Sequence, residues 1–332
     1  IKTLRGDYRD VDGNTVNRLR KWRKEDFKPE ESDIFQERLY AIQWIKKETL
    51  ALGRQETYFT SVSEDDLARE HLVEQIVREN IKLWQETGLI PDMAIEPGEK
   101  TDELIRTRGW SYWHHLFTPR QILVAALVHK HLRNASAALR PALCLSLAKM
   151  LDWSSKLCRY GTGAARESIA QTFYNQAYNT NYFYGVRSFV TGKNYLFLTD
   201  AACEVPGSTV IRNRSAAELS DVCDLWITDP PYADAVNYHE IAEFFIAWLR
   251  KSPPNPFDTW VWDSRRPLAI KGVGDDFRRG MIAAYKVMAL HMPDNGMQCV
   301  MFTHQDTGVW TDMVGIFWAA GLQVVAAGYL AT

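Results

Sequence analysis

The segment that most constrains the fold is a strand, a stiff turn and a helix that follow one another directly. Residues 222–228 are mostly apolar and run into Asp229-Pro230-Pro231-Tyr232. A helix is predicted next, because apolar side chains recur at helical spacing; these are Ile241, Phe244, Phe245, Trp248 and Leu249. A turn at the carboxyl end of a strand is where an open α/β sheet keeps its ligand site.

The chemistry of this turn indicates a site for an amine. Both prolines lack a backbone N–H and hold φ at about −65°, so the turn is stiff and offers carbonyl oxygens without competing donors. An amine between the Asp229 carboxylate and the Pro230 carbonyl would meet two acceptors. The exocyclic amine of adenine is planar and weakly nucleophilic because its lone pair is delocalised, and two acceptors would favour the pyramidal, reactive nitrogen. Catalysis would then be mainly positioning and electrostatic stabilisation.

Tyr232 adds a flat ring on which a base could stack. Such a contact is worth about 1–3 kcal/mol and offsets part of the cost of extruding a base from a duplex. We therefore interpret Asp229, Pro230, Pro231 and Tyr232 as a catalytic turn. The alternative is an ordinary loop, since Asp-Pro and Pro-Pro pairs are common turn signals.

Several blocks of the sequence together resemble one known family. They are the turn and its helix at 228–250, an upstream block at 110–123, a second block with Thr172, Phe173 and Gln176, and a closing block at 293–325. This set is similar to the large adenine-specific DNA methylases that carry an N-terminal domain of unknown function and often occur in anti-phage gene clusters. The similarity covers roughly residues 30–332 and is strongest in the last third.

The resemblance implies a fold and an activity. The fold would be α/β, part of a class I S-adenosylmethionine-dependent methyltransferase (Rossmann-like) sheet preceded by a mainly helical region. The activity would be transfer of a methyl group from S-adenosylmethionine to the exocyclic amine of adenine in DNA, in preference to that of cytosine. The partners would be duplex DNA with a flipped base and proteins of a restriction-modification or phage-defence system.

One departure from the family leaves the substrate open. The family usually has acidic residues where this chain has Tyr182-Phe183-Tyr184-Gly185-Val186. This stretch provides aromatic side chains but no carboxylate that would recognise the base. Methylation of RNA is therefore one alternative, and a non-catalytic nucleic-acid-binding or scaffolding subunit that retains the turn is another.

Residues near the turn are candidates for substrate binding. Asn237 and Tyr238 follow the turn closely enough to touch the target base. Lys251, Arg265 and Arg266 flank a Pro-rich loop with two tryptophans, and Trp beside Arg suits base stacking and phosphate pairing. The alternative for this loop is a Trp-anchored surface loop without a ligand.

The resemblance also assigns residues to the cofactor. Phe117 and Thr118 would flank the methionine end of S-adenosylmethionine, Asp229 would contact it, and His304 would end a strand on the cofactor side. Thr118 before Pro119 is equally typical of a helix cap.

The Gly-rich turn that binds this cofactor in the family is not found in the sequence. Residues 161–163 and 272–274 contain paired glycines but are predicted to be loops. The chain begins at Ile1 without Met and ends in a predicted strand. We therefore expect it to be the later part of a longer enzyme whose N-terminal part supplies that turn.

Composition indicates a globular protein of about two domains. The chain has 332 residues, of which 46% are hydrophobic and 24% charged, with a net charge of −2. No apolar run approaches the ~18 residues of a membrane span, and no signal peptide is evident, so a cytoplasmic location is expected. The five cysteines are scattered without a Cys-x-x-Cys pair, and the histidine pairs lack companion ligands, so no metal site is predicted.

Three regions are predicted: a polar and flexible lead-in at 1–30, a mainly helical recognition region at 31–190, and the catalytic α/β segment at 191–332. The basic cluster at 5–28 is either a phosphate contact or a solvated face. Helices are predicted around 73–84 and at 118–132, 135–157, 236–250, 276–292 and 310–320, and strands at 195–198, 209–211, 225–228, 297–303 and 322–330.

Overall fold

The computed structural model describes residues 7–17, 19–53, 55–163, 166–174, 177–178, 196, 206–231, 236–264, 266–270 and 274–328. Over these ranges the chain is mixed α/β, with seven α-helices and five two-stranded sheets. It divides into two compact units, the first formed by 1–201 with 243–262 and the second by 202–242 with 263–332. None of the described helices has the length and apolar composition that a membrane span needs.

The first unit combines antiparallel hairpins with helices. The hairpins pair β1 (Asp7–Arg9) with β2 (Thr15–Asn17), β3 (Ala41–Ile45) with β4 (Thr57–Ser61), β5 (Tyr160–Gly163) with β6 (Arg166–Ile169), and β7 (Phe173–Tyr174) with β8 (Ala177–Tyr178). The helices of this unit are α1 (Glu64–Glu86), α2 (Thr101–Arg108), α3 (Pro119–Arg133) and α4 (Arg140–Asp152). The part of α5 (Tyr238–Leu249) from residue 243 onward also belongs to it.

The core of the first unit lies between α1, α3, α4 and α5. The predicted apolar face of α1 is confirmed, since Val73, Val77 and Ile81 are buried. The helix predicted at 118–132 is confirmed as α3, whereas the one predicted at 135–157 is shorter, at 140–152. Fully buried aromatic and aliphatic side chains fill the space between the helices, among them Trp113, Phe117, Ile122, Leu147, Phe244 and Trp248.

Part of the predicted polar lead-in packs into this core. Trp22 and Phe27 are buried, with 6% and 7% of their surface exposed. The Trp22 N–H donates to the Gly109 carbonyl at 2.8 Å. Gly109 has φ +75, and a Cβ there would collide with the Arg20 carbonyl oxygen. Only glycine therefore allows the end of α2 to approach the lead-in so closely.

The second unit is built on two parallel strands. β9 (Leu225–Thr228) pairs with β10 (Met297–Val300), and α6 (Asp275–Leu290) and α7 (Thr307–Ala319) complete the unit. β9 has the predicted bounds, and both helices lie within a few residues of their predicted ranges. The strand predicted at 297–303 is confirmed only to Val300.

Two predicted strands are wrong over the described residues. Residues 209–211 are not in a strand, and Val210 and Ile211 are largely exposed. Residues 322–328 also form no strand; Gly321 ends α7 with φ +85, and the Leu322 N–H turns back to the Phe317 carbonyl at 2.9 Å. Both segments have the apolar side chains typical of strands, but no described strand pairs with either of them. The strand predicted at 195–198 lies outside the described residues except for Leu196.

The helices cover one face of the parallel pair. Phe277, Met281, Tyr285 and Met288 of α6 pack with residues of α7, and Trp226 and Val300 of the strands lie against this cluster. On the opposite face Leu225, Ile227 and Met297 are 51%, 63% and 59% exposed. Parallel sheets are normally covered on both faces, and here the described residues cover one.

Candidate active site at the carboxyl end of the parallel strands

The predicted catalytic turn begins where β9 ends. The Met301 N–H donates to the Thr228 carbonyl at 2.8 Å, which continues the parallel pairing one residue past Val300. Asp229 and the segment after Met301 therefore leave the sheet at the same edge. This is the edge at which open α/β sheets carry ligand sites.

A buried tyrosine supports the last residue of the strand. The Tyr285 hydroxyl lies 3.2 Å from the Thr228 hydroxyl, and Tyr285 is 2% exposed. Burial raises the pKa of the Tyr285 phenol, and the nearby charge of Asp229 acts in the same direction, against the hydrogen bond to Thr228. The phenol therefore stays protonated at neutral pH and fixes the Thr228 side chain directly before the turn.

Sequence reasoning missed Tyr285. Its only signal was a phenol within the apolar stripe of a predicted helix, where Phe277, Met281 and Met288 share the same face. A buried tyrosine hydroxyl needs a hydrogen-bond partner. The partner is Thr228, which lies 57 residues earlier in the chain.

Three of the four residues of the turn are described. Asp229 is exposed, and Pro230 and Pro231 are half-buried. Tyr232, the predicted stacking ring, lies outside the described residues. The arrangement thus presents a carboxylate to solvent at the start of a segment whose backbone is stiffened by two prolines.

The next helix, α5, begins close behind the turn. The Asn237 carbonyl accepts hydrogen bonds from the backbone N–H groups of Glu240 and Ile241, at 2.9 and 3.1 Å. Tyr238, the first helical residue, is 48% exposed, so its ring can be reached from solvent. Glu240 and Glu243 of this helix are buried, at 2% and 1% exposure, which no pattern in the sequence indicated.

His304 lies in the segment that follows β10. Its Nδ1 accepts a hydrogen bond from the Asp306 N–H at 3.0 Å, and its carbonyl accepts one from the Trp310 indole at 3.0 Å. These contacts fix the loop that leads into α7. His304 therefore follows the carboxyl end of β10 but does not end the strand as predicted, because β10 stops at Val300.

The other two predicted cofactor residues belong to the first unit and have structural contacts there. Phe117 is fully buried, with its ring 5.8 Å from that of Phe244 and 5.0 Å from that of Trp248. The Thr118 hydroxyl accepts the Gln121 N–H at 3.3 Å, while the Gln121 side chain accepts the Thr118 N–H at 2.9 Å. This reciprocal capping box is the helix-cap alternative raised by the sequence.

The basic residues proposed to bind substrate are only partly described. The Lys251 ammonium donates to the Gln85 carbonyl at 2.7 Å and to Asp92 at 2.6 Å, and Arg250 donates to the other Asp92 oxygen at 2.6 Å. Burial acts to raise the pKa of Asp92, but these hydrogen bonds outweigh it and lower that pKa below its usual value. Lys251 thus belongs to an ion cluster within the first unit.

Arg265 and the side chain of Arg266 lie outside the described residues. In the same region the Trp262 indole donates to the Phe257 carbonyl at 2.8 Å, and the rings of Phe257 and Trp260 lie 4.8 Å apart. These are the contacts of a loop anchored by tryptophans, the alternative that the sequence left open.

The described residues fit S-adenosylmethionine in part. Asp229 and His304 offer a carboxylate and an imidazole at one edge of the sheet, whereas Phe117 has no exposed ring face. Residues 161–163, predicted to be a loop, form the hairpin strand β5, and Gly272 is not described. Among the described residues no group of three or more His, Cys, Asp or Glu side chains is arranged to hold a metal ion.

Comparisons with protein-family models, with curated proteins and with solved structures give no match to this chain. The family likeness read from the sequence therefore stays a prediction.

Proposed function

We propose that this chain forms the catalytic part of a DNA adenine-N6 methyltransferase that uses S-adenosylmethionine. The observation that supports this most is the end of β9, where an exposed Asp229 and two prolines leave the carboxyl edge of a parallel strand pair. The hydrogen bonds of Thr228 to Met301 and Tyr285 fix the start of this turn.

The proposed role of the turn is to bind and reshape the target amine. One N–H of the adenine amine donates to the Asp229 carboxylate and the other to the Pro230 carbonyl. The lone pair of the nitrogen is then localised and directed away from both acceptors. S-adenosylmethionine supplies the electrophilic methyl group when it is bound. The chain itself positions and polarises the amine and needs no strong base.

Neighbouring residues would hold the base around its amine. Tyr232 provides the stacking ring, while Asn237 and Tyr238 at the start of α5 flank the base. Thr228 and Tyr285 are positioning residues. Thr228 directly precedes Asp229, and the Tyr285 hydroxyl contacts the Thr228 hydroxyl, but neither residue contacts the reacting atoms. A displacement of the turn by about 1 Å is enough to lower such a rate by roughly 100-fold.

The experiment uses the purified protein. It is incubated with methyl-labelled S-adenosylmethionine and either unmethylated DNA or RNA, and the digested nucleosides are analysed by mass spectrometry. N6-methyladenine in DNA is the expected product. Label in RNA alone would replace the DNA assignment with the RNA alternative.

A non-catalytic nucleic-acid-binding role is the second candidate, and the complete burial of Phe117 favours it. Calorimetric titration of the same protein with S-adenosylmethionine separates the two. Saturable heat is expected for the enzyme. No binding of S-adenosylmethionine, together with no product on either nucleic acid, would exclude the enzyme and favour the non-catalytic role.

A further inference from the structure

The hairpin of β3 and β4 in the first unit is a two-stranded ribbon with no buried strand residue. All ten strand residues are half-buried or exposed. The ribbon is closed at its far end by an ion pair of 2.6 Å between Lys46 and Glu56 and by the backbone hydrogen bond Lys46 N–H to Glu56 carbonyl. A two-stranded ribbon that buries so little is marginally stable alone, so its aromatic side chains are not explained by a core.

The register brings two exposed aromatic side chains together on one face. Trp44 lies directly opposite Tyr58, and they are 42% and 47% exposed. The Trp44 indole N–H donates to the Thr60 hydroxyl at 3.0 Å, which holds the ring on the ribbon. Directly opposite residues of an antiparallel pair share a face. Trp44 and Tyr58 therefore form a preorganised aromatic surface.

Basic side chains lie close to this surface along the chain. Arg38 precedes β3, and Lys47 follows its last residue by two positions; both are exposed. Lys46 is already paired with Glu56. Exposed basic side chains beside aromatic rings complement the phosphates of a nucleic acid.

We propose that the β3–β4 ribbon binds single-stranded nucleic acid, with unpaired bases stacked on Trp44 and Tyr58 and phosphates close to Arg38 and Lys47. Aromatic rings combined with basic residues are the usual platform for unpaired bases. A stable protein partner would need about 800 Å² on this side, which is more than two half-exposed rings on a narrow ribbon supply. The ribbon belongs to the first unit and the turn at Asp229 to the second.

The test measures binding of a labelled single-stranded oligonucleotide of mixed sequence to the whole protein by fluorescence anisotropy, without S-adenosylmethionine. Trp44→Ala and Tyr58→Ala should each weaken binding roughly 5- to 150-fold, the equivalent of losing one stacked base. Trp44→Phe should retain most of the affinity. Trp318→Ala, which removes a 69% exposed ring from the second unit, should leave binding unchanged.

Three further readouts make the result decisive. Circular dichroism should show equal folding of all variants, and ultraviolet cross-linking should label the peptide that contains residues 41–61. The assay contains no S-adenosylmethionine and measures binding alone, so failure of the proposed methyl transfer would not affect this result. Wild-type affinity in both alanine variants, no binding by the wild type, or loss of self-association in Trp44→Ala would each overturn the proposal.

Discussion

At the scale of single residues, Thr228 connects the fold to the chemistry. Its carbonyl accepts the Met301 N–H at 2.8 Å, and its hydroxyl lies 3.2 Å from that of Tyr285. Both contacts act on the residue immediately before Asp229. The turn is therefore held from the neighbouring strand and from α6 at once.

A double-mutant cycle tests this support. We expect Tyr285→Phe and Thr228→Val to be coupled by roughly 0.5–1.5 kcal/mol in the free energy of unfolding, because each removes one partner of the same hydrogen bond. Tyr285→Phe should also lower kcat for methyl transfer while KM for DNA stays constant. Urea unfolding and initial rates measure both effects. Strictly additive unfolding energies would show that the hydrogen bond does not form.

In the first unit, ionisation of Asp152 and ionisation of Asp92 have opposite effects on the stability of the fold. Burial raises the pKa of Asp152 to about 6, against the effect of the Thr172 and Phe173 backbone N–H groups. Asp92, by contrast, has a lowered pKa because hydrogen bonds from Lys251 and Arg250 outweigh its burial. The ionised form thus costs stability at Asp152 and contributes stability at Asp92.

Substitution by asparagine should separate these two cases. Because the pKa of Asp152 is raised in the folded state, stability falls as pH rises from 3.8 to about 6. Asp152→Asn should therefore stabilise the protein above pH 6 by about 1–2 kcal/mol. This advantage should disappear below about pH 4. Asp92→Asn should instead destabilise it at neutral pH. Thermal unfolding across this pH range measures both. A destabilised Asp152→Asn at neutral pH would contradict the account.

At the scale of elements, the helix starts show how local chemistry sets boundaries. Ser63 caps α1 through a capping box with Asp66, and Thr118 caps α3 through one with Gln121. In both cases a side-chain oxygen satisfies an N–H that the first helical turn leaves without a helical partner. These boundaries depend on residues only three positions apart.

The cap assignment of Thr118 gives a prediction that excludes a cofactor role. Thr118→Ala should lower the unfolding free energy by about 1 kcal/mol, and Thr118→Ser should restore most of it because the hydroxyl is retained. Neither should change the KM for S-adenosylmethionine. Chemical denaturation and steady-state kinetics provide the two measurements. An increase in KM without loss of stability would instead assign Thr118 to the cofactor.

The sequence predicted the elements that short-range patterns determine. The bounds of β9 and the apolar faces of α1 and α5 follow from residues that are neighbours in the chain. The predicted strands at 209–211 and 322–330 failed over their described residues, because apolar character alone does not provide a strand to pair with. The β3–β4 hairpin was missed because its strands lack a buried face and hence a clean alternation of apolar residues.

The site was predictable only where its chemistry lies in consecutive residues. Asp229, Pro230 and Pro231 were visible in the sequence, whereas Tyr285 and the pairing of Lys251 with Asp92 depend on contacts 57 and 159 residues apart. No pattern in a single sequence specifies such a partner. Sequence reasoning therefore finds the reactive residues before it finds those that hold them.

At the scale of the whole molecule, buried histidines are concentrated in the first unit. Burial lowers the pKa of His114 and of His129 to about 4, and that of His115 well below its ordinary value. His114 and His115 contact the backbone carbonyls of Asp26 and Arg23, at 3.0 and 2.9 Å. Protonation would place uncompensated charge between the lead-in and the core.

The first unit should therefore be sensitive to acid. A histidine with a lowered pKa contributes stability that is fully present above pH 6.5 and is lost as the pH falls toward 4. The loss is about 1.4 kcal/mol per proton and pH unit. Asp152 offsets part of it, because its raised pKa favours the folded state as the pH falls. Hydrogen exchange should show the first unit opening before the second over this range. His114→Gln should reduce the slope of stability against pH, and the exposed His71→Gln should not. Equal slopes for all three proteins would contradict this explanation.

The most direct test of the proposed function is methyl transfer by the Asp229→Asn protein, compared with Asp224→Asn. Asp224 is an exposed carboxylate immediately before β9, at the opposite end of the strand from Asp229. We expect Asp229→Asn to lose roughly 100- to 1,000-fold in kcat, the loss typical of removing one electrostatic partner of a reacting group, with normal folding. Asp224→Asn should retain wild-type activity. Full methylation of DNA by Asp229→Asn would contradict the proposed role of the turn.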